Sequence, residues 1–444
     1  MTLEWSRCLS AERVGAPADG PAIARTPFQR DHDRILFSAS FRRLADKTQV
    51  FPLPWDDHVH SRLTHSLEVA SIGRSLGTLV GARVLERERA LAERLEARDL
   101  GDCVAAACLA HDLGNPPFGH VGENAIREFF ARERPLWDEL TERQRRDLLA
   151  FEGNAQTFRI VTRIERPARA GGLQLTCATL GALVKYPCSS EAASRDADER
   201  AARKPGLFDA DVDVYAGIAR RLGLPPAGPG RWPRHPLACL AEAADDIAYL
   251  LLDLEDGLRL KHVTPREFEA CLAPLCGEDP RYAPAPAAPD HAMLLDRADL
   301  LRAIAVNALI HDAADAFMEA EREIMAGRFA TDLRRSMRHR EAMKGIQEVC
   351  EARCYRARDV LKMELSGAEA IQGLLEIFVD ALRDERSLRA DHMRRLYSRV
   401  FKDAGSSAYE RLITITDHVS GMTDHYAVRL YRELRGMRYP GGRD

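Results

Sequence analysis

The stretch ACLAHDLGNPPFGHVGENA, residues 107–125, places an adjacent His111–Asp112 pair at the end of an apolar run. A glycine, an asparagine and two prolines follow, and residues of this kind end helices and turn the chain. His120 and Glu123 come directly after the turn. A helix interior does not need a carboxylate beside an imidazole. This corner between two elements therefore predicts a site that binds a metal or performs chemistry.

The segments around this corner have helical patterning. Apolar residues recur at spacings of three and four in several long stretches, which is typical of amphipathic helices. These stretches are residues 64–95, 125–140, 237–258, 301–327 and 370–385. Alternating, strand-like runs are scarce, and GGLQLTCATL at 171–180 is the best candidate, although a helix is an alternative there. The sequence predicts a mainly α fold.

Composition excludes several classes of protein. The chain has 444 residues, of which 45% are hydrophobic and 30% charged, and its net charge is −4. It can bury a large core, and it has no overall basic field that would draw it to nucleic acid or membrane. The ten cysteines include no C-x-x-C pair, so we read them as reduced, mostly buried thiols. With no apolar run of ~20 residues and no signal peptide, we expect a cytoplasmic protein without membrane spans.

Breaks in the helical pattern suggest a domain organisation. We expect an N-terminal segment at 1–24, a catalytic domain at 25–275 and a helical C-terminal region at 292–444, joined by a Pro/Ala-rich linker at 276–291. A polar, variable loop lies near 187–206 within the catalytic domain. Two arginine-dense stretches of the C-terminal region, 334–344 and 386–399, are either solvated helix faces or a surface for nucleotide or nucleic acid.

A divalent metal beside His111 and Asp112 needs further ligands from other helices. His65 opens an apolar helix upstream, and a helix downstream carries Asp245 and Asp246. At ~100° per residue, positions four apart drift by only about 40°. Asp245 therefore shares a face with Tyr249 and Asp253, which favours Asp245 as the ligand, while Asp246 remains an alternative. A ligand set of two imidazoles and two carboxylates suits Mn²⁺, Mg²⁺, Fe²⁺, Ni²⁺ or Zn²⁺. It argues against a structural zinc site, which is built from thiolates.

The set His65, His111-Asp112, Asp245 resembles the ligand signature of HD-domain metal-dependent phosphohydrolases. Shorter pieces in the same order are similar to the bacterial dGTPase-type deoxynucleoside triphosphate triphosphohydrolases. These pieces are FRRLADKTQVFP, SRLTHSLEV, HDLGNPPFGHVGE, FEGNAQTFRI, LGALVKYP, EAADDIAYLLLDLEDG and SGMTDHYA. They run from about residue 25 to residue 435, nearly the whole chain. The resemblance implies an HD-domain helical metallo-phosphohydrolase fold with additional C-terminal helices.

The resemblance also implies roles for individual residues. His65, His111, Asp112 and Asp245 would hold the metal, Mn²⁺ or Mg²⁺ in the first place, and His120 with Glu123 would handle the attacking water and the leaving oxygen. The residues implied for substrate binding contact the phosphates or the sugar: Arg62, Lys185 and Lys204 for the phosphates, and Gln49, Tyr249 and Asp253 for the sugar.

The implied reaction is hydrolysis of a dNTP, dGTP or several of them, at the α-phosphorus to a deoxynucleoside and tripolyphosphate. The alternatives are another HD enzyme, such as a nucleotidase or phosphodiesterase, and a regulator that binds nucleotide or single-stranded DNA without turnover. The resemblance further implies a homo-oligomer, often a hexamer, and a nucleotide or single-stranded DNA as a candidate effector.

Overall fold

The computed structural model describes residues 2–16, 24–52, 58–133, 137–194, 196–197, 199–282, 291–384, 386–402, 405 and 407–437. These parts of the chain are helical, with only isolated β-bridges and no sheet among them, so the mainly α prediction is confirmed. The α-helices, in chain order, are α1 Trp5–Cys8, α2 Pro27–Leu36, α3 Ala39–Arg43, α4 Arg62–Arg87, α5 Arg89–Ala92, α6 Ala97–Ala110, α7 His120–Arg132, α8 Glu142–Leu149, α9 Gly153–Arg159, α10 Cys177–Leu183, α11 Val212–Leu222, α12 Pro236–Arg259, α13 Pro265–Cys276, α14 His291–Met325, α15 Arg340–Arg353, α16 Arg358–Arg383, α17 Leu388–Leu396, α18 Ser398–Lys402, α19 Ala408–Ser420 and α20 Asp424–Leu434.

Local capping sets where the site-bearing helices begin. Ser61 is the N-cap of α4, and its side chain accepts a hydrogen bond from the backbone N–H of Thr64. Such a cap satisfies an otherwise unpaired N–H of the first helical turn. The cap places Arg62 and His65 in that first turn. Pro236 occupies the first position of α12, where a missing N–H costs nothing.

Helices α4, α6 and α12 form the centre of the larger hydrophobic core. Glycines allow α4 and α6 to approach closely, because a Cβ atom on Gly77 would lie 2.8 Å from the Cα atom of Gly101. This contact brings the start of α4 beside the end of α6. His65 and His111, which are 46 positions apart in the sequence, consequently face each other with ring centroids 5.4 Å apart.

A second hydrophobic cluster is built on α16, which packs against α7, α17, α19 and α20. Helix α14, by contrast, packs against α4, α12 and α13 as part of the larger core. Half of the predicted linker, residues 283–290, and part of the N-terminal segment, residues 17–23, lie outside the described residues. The domain boundaries predicted from the sequence therefore stay predictions.

The strand candidate at 171–180 is not a strand: its first half is turn and irregular structure, Thr176 makes an isolated β-bridge with Arg13, and its last four residues are helical. Residues 177–183 form α10, which starts behind the N-cap Thr176, whose side chain accepts a hydrogen bond from the N–H of Thr179. The segment ahead of it turns at Gly171 and Gly172, which have φ values of +78° and +59° that glycine adopts without strain. Short-range alternation of apolar and polar residues therefore misled the strand interpretation.

Two further features bear on the sequence-based expectations. The ten cysteines are all free thiols, and every one except the half-buried Cys271 is buried. Among the described residues, no helix has the length and apolar character needed to cross a membrane.

Candidate active site

Two histidines and an aspartate converge where α4, α6 and α12 meet. The Oδ1 atom of Asp245 lies 3.3 Å from Nε2 of His65 and 3.4 Å from Nε2 of His111. One ligand atom from each of these residues lies within 4.8 Å of the others. Asp246, the alternative, is not part of this cluster. The phase of α12 thus brings Asp245 to the histidines, as the helical-phase argument predicts.

Asp112 adjoins the cluster through His111. Its Oδ1 atom lies 3.4 Å from Nε2 of His111 and accepts a hydrogen bond from the side-chain amide of Asn115 at 2.5 Å. Its Oδ2 atom accepts a hydrogen bond from Arg62 at 2.7 Å. The four residues predicted as ligands are therefore adjacent, and both Arg62 and Asn115 fix the carboxylate that follows His111.

The donor set fits a divalent metal. Two ligand atoms that each lie ~2.1 Å from one ion are ~3.0 Å apart at a right angle and ~3.4 Å apart at a tetrahedral angle. The separations of 3.3 and 3.4 Å in the cluster are in this range. His111 directs Nε2 inward because its Nδ1 atom lies 2.6 Å from the carbonyl oxygen of Cys108, the kind of support that orients metal-binding histidines.

Electrostatics in the cluster point to a cation. Burial works against charge on Asp112, but His111 and Arg62 outweigh it and lower the pKa of Asp112 to about 2. Burial likewise opposes charge on His111, but Asp112 and Asp245 outweigh it and raise the pKa of His111 to about 9. Carboxylates that stabilise an imidazolium to this degree would stabilise a divalent cation in place of the proton.

His120 and Glu123 form a pair on the first turn of α7. Nδ1 of His120 lies 3.0 Å from Oε2 of Glu123, and the imidazole is 79% exposed while the carboxylate is 1% exposed. The backbone N–H of Gly153 donates to Oε1 of the same carboxylate at 2.7 Å. Burial raises the pKa of Glu123, but the bond to His120 outweighs it, and the net shift is downward. A fixed anion therefore orients an imidazole whose other nitrogen remains available.

The turn before α7 has an unusual backbone. Phe118 has a φ of +61°, and Gly119 follows with a φ of +55°. A Cβ atom on residue 119 would lie 2.4 Å from Nη2 of Arg62, so a side chain there would displace the guanidinium, and the positive φ also favours glycine. Gly119 thus allows the guanidinium of Arg62 to lie against the turn that carries His120, and both side chains line the same cavity.

A cavity of about 510 Å³ joins these groups. It is lined by His65, His111, Asp112 and Asp245, by His120, and by the predicted substrate-binding residues Gln49, Arg62, Lys185, Lys204 and Tyr249. Residues from distant parts of the chain thus share one space.

Lys185 and Lys204 each meet an acidic side chain in this cavity. Nζ of Lys185 lies 3.4 Å from Oε1 of Glu242, and Nζ of Lys204 lies 3.0 Å from Oε1 of Glu152. Burial alone would lower the pKa of Lys185, but Glu242 and other nearby acidic groups hold it above its usual range. Lys185 is therefore charged at every physiological pH. Glu242 also accepts hydrogen bonds from Arg200 and Arg234, at 2.6 and 2.7 Å.

Asp253 occupies a different place from the other predicted binding residues. It is 2% exposed, it does not line the cavity, and its Oδ2 atom accepts a hydrogen bond from the hydroxyl of Tyr355 at 2.7 Å. Burial raises the pKa of Asp253 to about 8. The ring of Tyr355 stacks on Tyr249 with centroids 5.9 Å apart, and both rings line the cavity. Asp253 thus contacts the cavity only indirectly, through its hydrogen bond with the lining residue Tyr355.

Gln49 is notable for an unsatisfied atom. Its Oε1 atom is buried and has no hydrogen-bond partner among the described residues. Because buried polar atoms are almost always paired, an unpaired atom on a residue that lines a cavity points to a ligand with a donor group. Sequence reasoning named Gln49 but missed Tyr355, which follows the linker and belongs to no motif, and Glu242, which was hidden within the apolar helix α12.

Comparison with known proteins agrees with this geometry. A family model of the HD domain matches residues 62–155, and a model described as the phosphohydrolase-associated domain matches residues 333–433. A deoxyguanosinetriphosphate triphosphohydrolase-like protein of Pseudomonas aeruginosa (strain LESB58) is 39% identical over 99% of this chain and 100% of its own length. A protein of the same name from Synechocystis is 37% identical over 98% and 100%. The deoxyguanosinetriphosphate triphosphohydrolase of Klebsiella pneumoniae is 31% identical over 92% and 93%.

These relatives confirm the resemblance predicted from the motifs, since the match extends over nearly the whole chain. The HD domain spans the start of α4 to the start of α9, and the second domain spans most of the helices around α16. The chain therefore belongs to the HD-domain phosphohydrolases, in the family of deoxyguanosinetriphosphate triphosphohydrolase-like proteins.

Proposed function

We propose that this protein hydrolyses deoxynucleoside triphosphates at the α-phosphorus, releasing a deoxynucleoside and inorganic tripolyphosphate, with Mn²⁺ or Mg²⁺ as its metal. One observation carries the proposal. The histidine–carboxylate cluster, the His120–Glu123 pair and the cations Arg62, Lys185 and Lys204 all open onto a single cavity of about 510 Å³.

The cavity offers what a triphosphate requires. Arg62 presents a planar guanidinium beside the cluster, and such a group binds phosphate oxygens in pairs. Lys185 and Lys204 supply further positive charge in the same cavity. His65, His111, Asp112 and Asp245 would hold the metal, which when bound supplies Lewis-acid polarisation of a phosphoryl oxygen and lowers the pKa of a water molecule.

The proton transfers fall to His120 and Glu123. Water adds to the α-phosphorus, the bond from phosphorus to the 5′ oxygen breaks, and a proton passes to that oxygen as the deoxynucleoside leaves. His120 is placed for this transfer because Glu123 orients its ring and would stabilise its protonated form. General acid–base catalysis by such a pair contributes ~10²–10⁴-fold to a rate.

Selection of the sugar falls to Gln49 and the Tyr249–Tyr355 stack. The unpaired Oε1 atom of Gln49 can accept a hydrogen bond from a 3′-hydroxyl group. The stacked rings offer an apolar surface in the cavity against which the C2′ side of a deoxyribose would pack. Asp253 fixes one of these rings through the Tyr355 hydroxyl.

The test is a product analysis. Each purified dNTP, and each rNTP for comparison, is incubated with the protein and Mn²⁺ or Mg²⁺, and the products are separated by ion-exchange chromatography. We expect deoxynucleoside and tripolyphosphate in equal amounts, with rNTPs turned over at least tenfold more slowly. The His120→Ala variant, purified in the same way, controls for contaminating phosphatases and should be inactive while still binding Mn²⁺.

Other outcomes would redirect the assignment. Nucleoside monophosphate with pyrophosphate, or free phosphate, would indicate a different HD phosphohydrolase such as a nucleotidase or phosphodiesterase. Absence of turnover with every dNTP, singly and mixed, with and without single-stranded DNA, would contradict the proposal. Near-normal turnover by His120→Ala would contradict the role of the His120–Glu123 pair.

A further inference from the structure

A buried lysine connects the turn before His120 to the C-terminal helices. Lys47 is 2% exposed, and its Nζ atom donates hydrogen bonds to the carbonyl oxygens of Asn115, at 2.5 Å, and Ser420, at 3.0 Å. Burying an ammonium group is costly unless it is fully hydrogen-bonded. A lysine in this place therefore indicates a junction that needs directed bonds, since apolar packing would cost less.

A buried aspartate makes the complementary connection. Asp424, the first residue of α20, is 5% exposed. Its Oδ1 atom accepts a hydrogen bond from the backbone N–H of Phe118 at 3.0 Å. Its Oδ2 atom accepts a hydrogen bond from the backbone N–H of Thr48 at 2.9 Å. Lys47 and Asp424, with the four backbone groups that they bind, are called the buried clamp below.

The clamp acts on a strained segment. Phe118 has a positive φ, a conformation that costs a residue with a side chain of order 1–3 kcal/mol and persists only where neighbouring groups hold it. Asp424 holds its N–H, and Gly367 of α16 makes room for its ring, because a Cβ atom there would lie 2.4 Å from the ring. Both contacts come from the C-terminal helices.

The segments held by the clamp carry groups of the proposed site. Gln49 follows Thr48 directly, and His120 lies two residues after Phe118. The backbone N–H of Arg62 also donates to the carbonyl oxygen of Lys47 at 3.0 Å. A shift of the clamp would therefore displace the residues proposed to contact sugar, phosphate and leaving group, while the ligand cluster rests on α4, α6 and α12.

We propose that Lys47 and Asp424 are positioning residues, which hold the Gln49 segment and the turn before His120 in register with the metal cluster, so that the C-terminal helices form part of the active site. This inference rests on the proposed function. Neither residue touches the substrate in this scheme. A displacement of ~1 Å in reacting groups is enough to cost ~10²-fold in rate.

The experiment compares two buried aspartates. Asp424→Asn keeps the size of the side chain but presents an amide N–H to one of the two backbone donors. Asp147→Asn is the matched control, because Asp147 is 1% exposed and also joins the C-terminal helices to the rest of the chain. It accepts hydrogen bonds from the hydroxyl of Tyr409 on α19 and from the backbone N–H of Asp209, and it does not line the cavity.

The kinetic constants, the preference for dGTP over GTP and the affinity for Mn²⁺ are measured at a temperature well below both melting temperatures, which are determined separately. We expect Asp424→Asn to lower kcat at least tenfold with a change in KM below threefold, and to reduce the preference for dGTP over GTP. Affinity for Mn²⁺ should stay within about threefold of the wild type. Asp147→Asn should lower the melting temperature by a similar amount and keep kcat within twofold. The inference fails if both variants lose equal activity for equal loss of melting temperature.

Hydrogen–deuterium exchange gives a readout that does not depend on turnover. Peptides containing Thr48 and Phe118 should exchange at least tenfold faster in Asp424→Asn than in the wild type. In Asp147→Asn their exchange rates should equal those of the wild type. Equal exchange in all three proteins would overturn the clamp even if the wild type is an active triphosphohydrolase. Faster exchange in Asp424→Asn, together with a wild type that does not hydrolyse any dNTP, would instead retain the clamp and reject the proposed reaction. Should Asp424→Asn fail to fold, Lys47→Met is tested in the same way.

Discussion

The imidazole of His120 and the carboxylate of Glu123 form a pair in which the imidazole is exposed and the carboxylate is buried. Nδ1 of His120 lies 3.0 Å from Oε2 of Glu123, with the ring open to the cavity and the carboxylate held inside by the N–H of Gly153. A buried anion with a fixed geometry can control both the orientation and the protonation of an exposed ring.

Replacing Glu123 with Gln should therefore separate chemistry from metal binding. We expect kcat for dNTP hydrolysis to fall ~10²–10³-fold, because the ring loses its anionic partner, while Mn²⁺ affinity stays within about threefold. Glu128→Gln on the same helix, where the side chain is exposed, is the control and should be fully active. A Glu123→Gln enzyme with more than half the normal kcat would show that the carboxylate is not needed.

The neighbours Asp245 and Asp246 should differ in metal binding. Asp245→Asn removes the oxygen that lies 3.3 and 3.4 Å from the two histidines, so we expect Mn²⁺ affinity to fall at least ~10²-fold and turnover to be lost. Asp246→Asn should bind Mn²⁺ within about threefold of the wild type. Calorimetric titration of both variants measures this. Equal losses would make Asp246 a ligand as well.

Tyr355→Phe should act on selectivity. The variant removes the donor to Asp253 but keeps the ring that stacks on Tyr249. We expect the ratio of kcat/KM for dGTP over GTP to fall ~5-fold or more, with kcat for dGTP within threefold of normal and a loss of ~1–3 kcal/mol in the free energy of unfolding. Tyr431→Phe, which removes an exposed hydroxyl bonded to Glu369, should leave the ratio unchanged. An unchanged ratio in Tyr355→Phe would remove Tyr355 from sugar selection.

His60 should make folding stability depend on pH in the alkaline range. Nδ1 of His60 lies 2.8 Å from Asp256 and Nε2 lies 3.3 Å from Glu68. Burial lowers the pKa of His60, but the bonds to Asp256 and Glu68 outweigh it and raise the pKa to about 10. Because the folded-state pKa lies above the usual 6.5, the stabilisation is complete below pH 6.5 and is lost as pH rises through about 10.

The comparison of His60→Gln with wild type measures this effect. We expect the wild type to exceed the variant by up to ~5 kcal/mol in the free energy of unfolding at pH 6, because the pKa of His60 is raised from 6.5 to about 10 and each pKa unit corresponds to ~1.4 kcal/mol. The difference should shrink steadily up to pH 10. His392→Gln, at an exposed position, should show no difference at either pH. A difference that stays constant from pH 6 to 10 would mean that His60 is neutral in the folded protein.

Sequence reasoning succeeds in this protein where the arrangement follows from helical phase. The position of Asp245 beside His65 and His111 could be predicted because positions 245, 249 and 253 share a face of the helix, whereas its role as a metal ligand stays a prediction. His120 and Glu123 could be paired for the same reason, since residues three apart on a helix are neighbours. The mainly α architecture was equally accessible from periodicity.

Other parts of the site depend on contacts that no local pattern encodes. Tyr355 reaches Asp253 across 102 positions, and Lys47 reaches Ser420 across 373. Isolated polar residues of this kind look like ordinary surface residues in a sequence, and only tertiary packing makes them buried partners. Phase also placed Asp253 on the cavity face, but it could not foresee that Tyr355 would stand between that carboxylate and the cavity.

The bond between Phe118 and Asp424 spans 306 positions, and this separation has a consequence for biosynthesis. Helices α4, α6 and α12, on which the proposed metal ligands converge, precede α20 in the chain, whereas the turn before His120 receives its acceptor only after α20 has emerged. We therefore expect a nascent chain without α20 to contain the cluster of His65, His111 and Asp245 before the turn ahead of His120 is held in place.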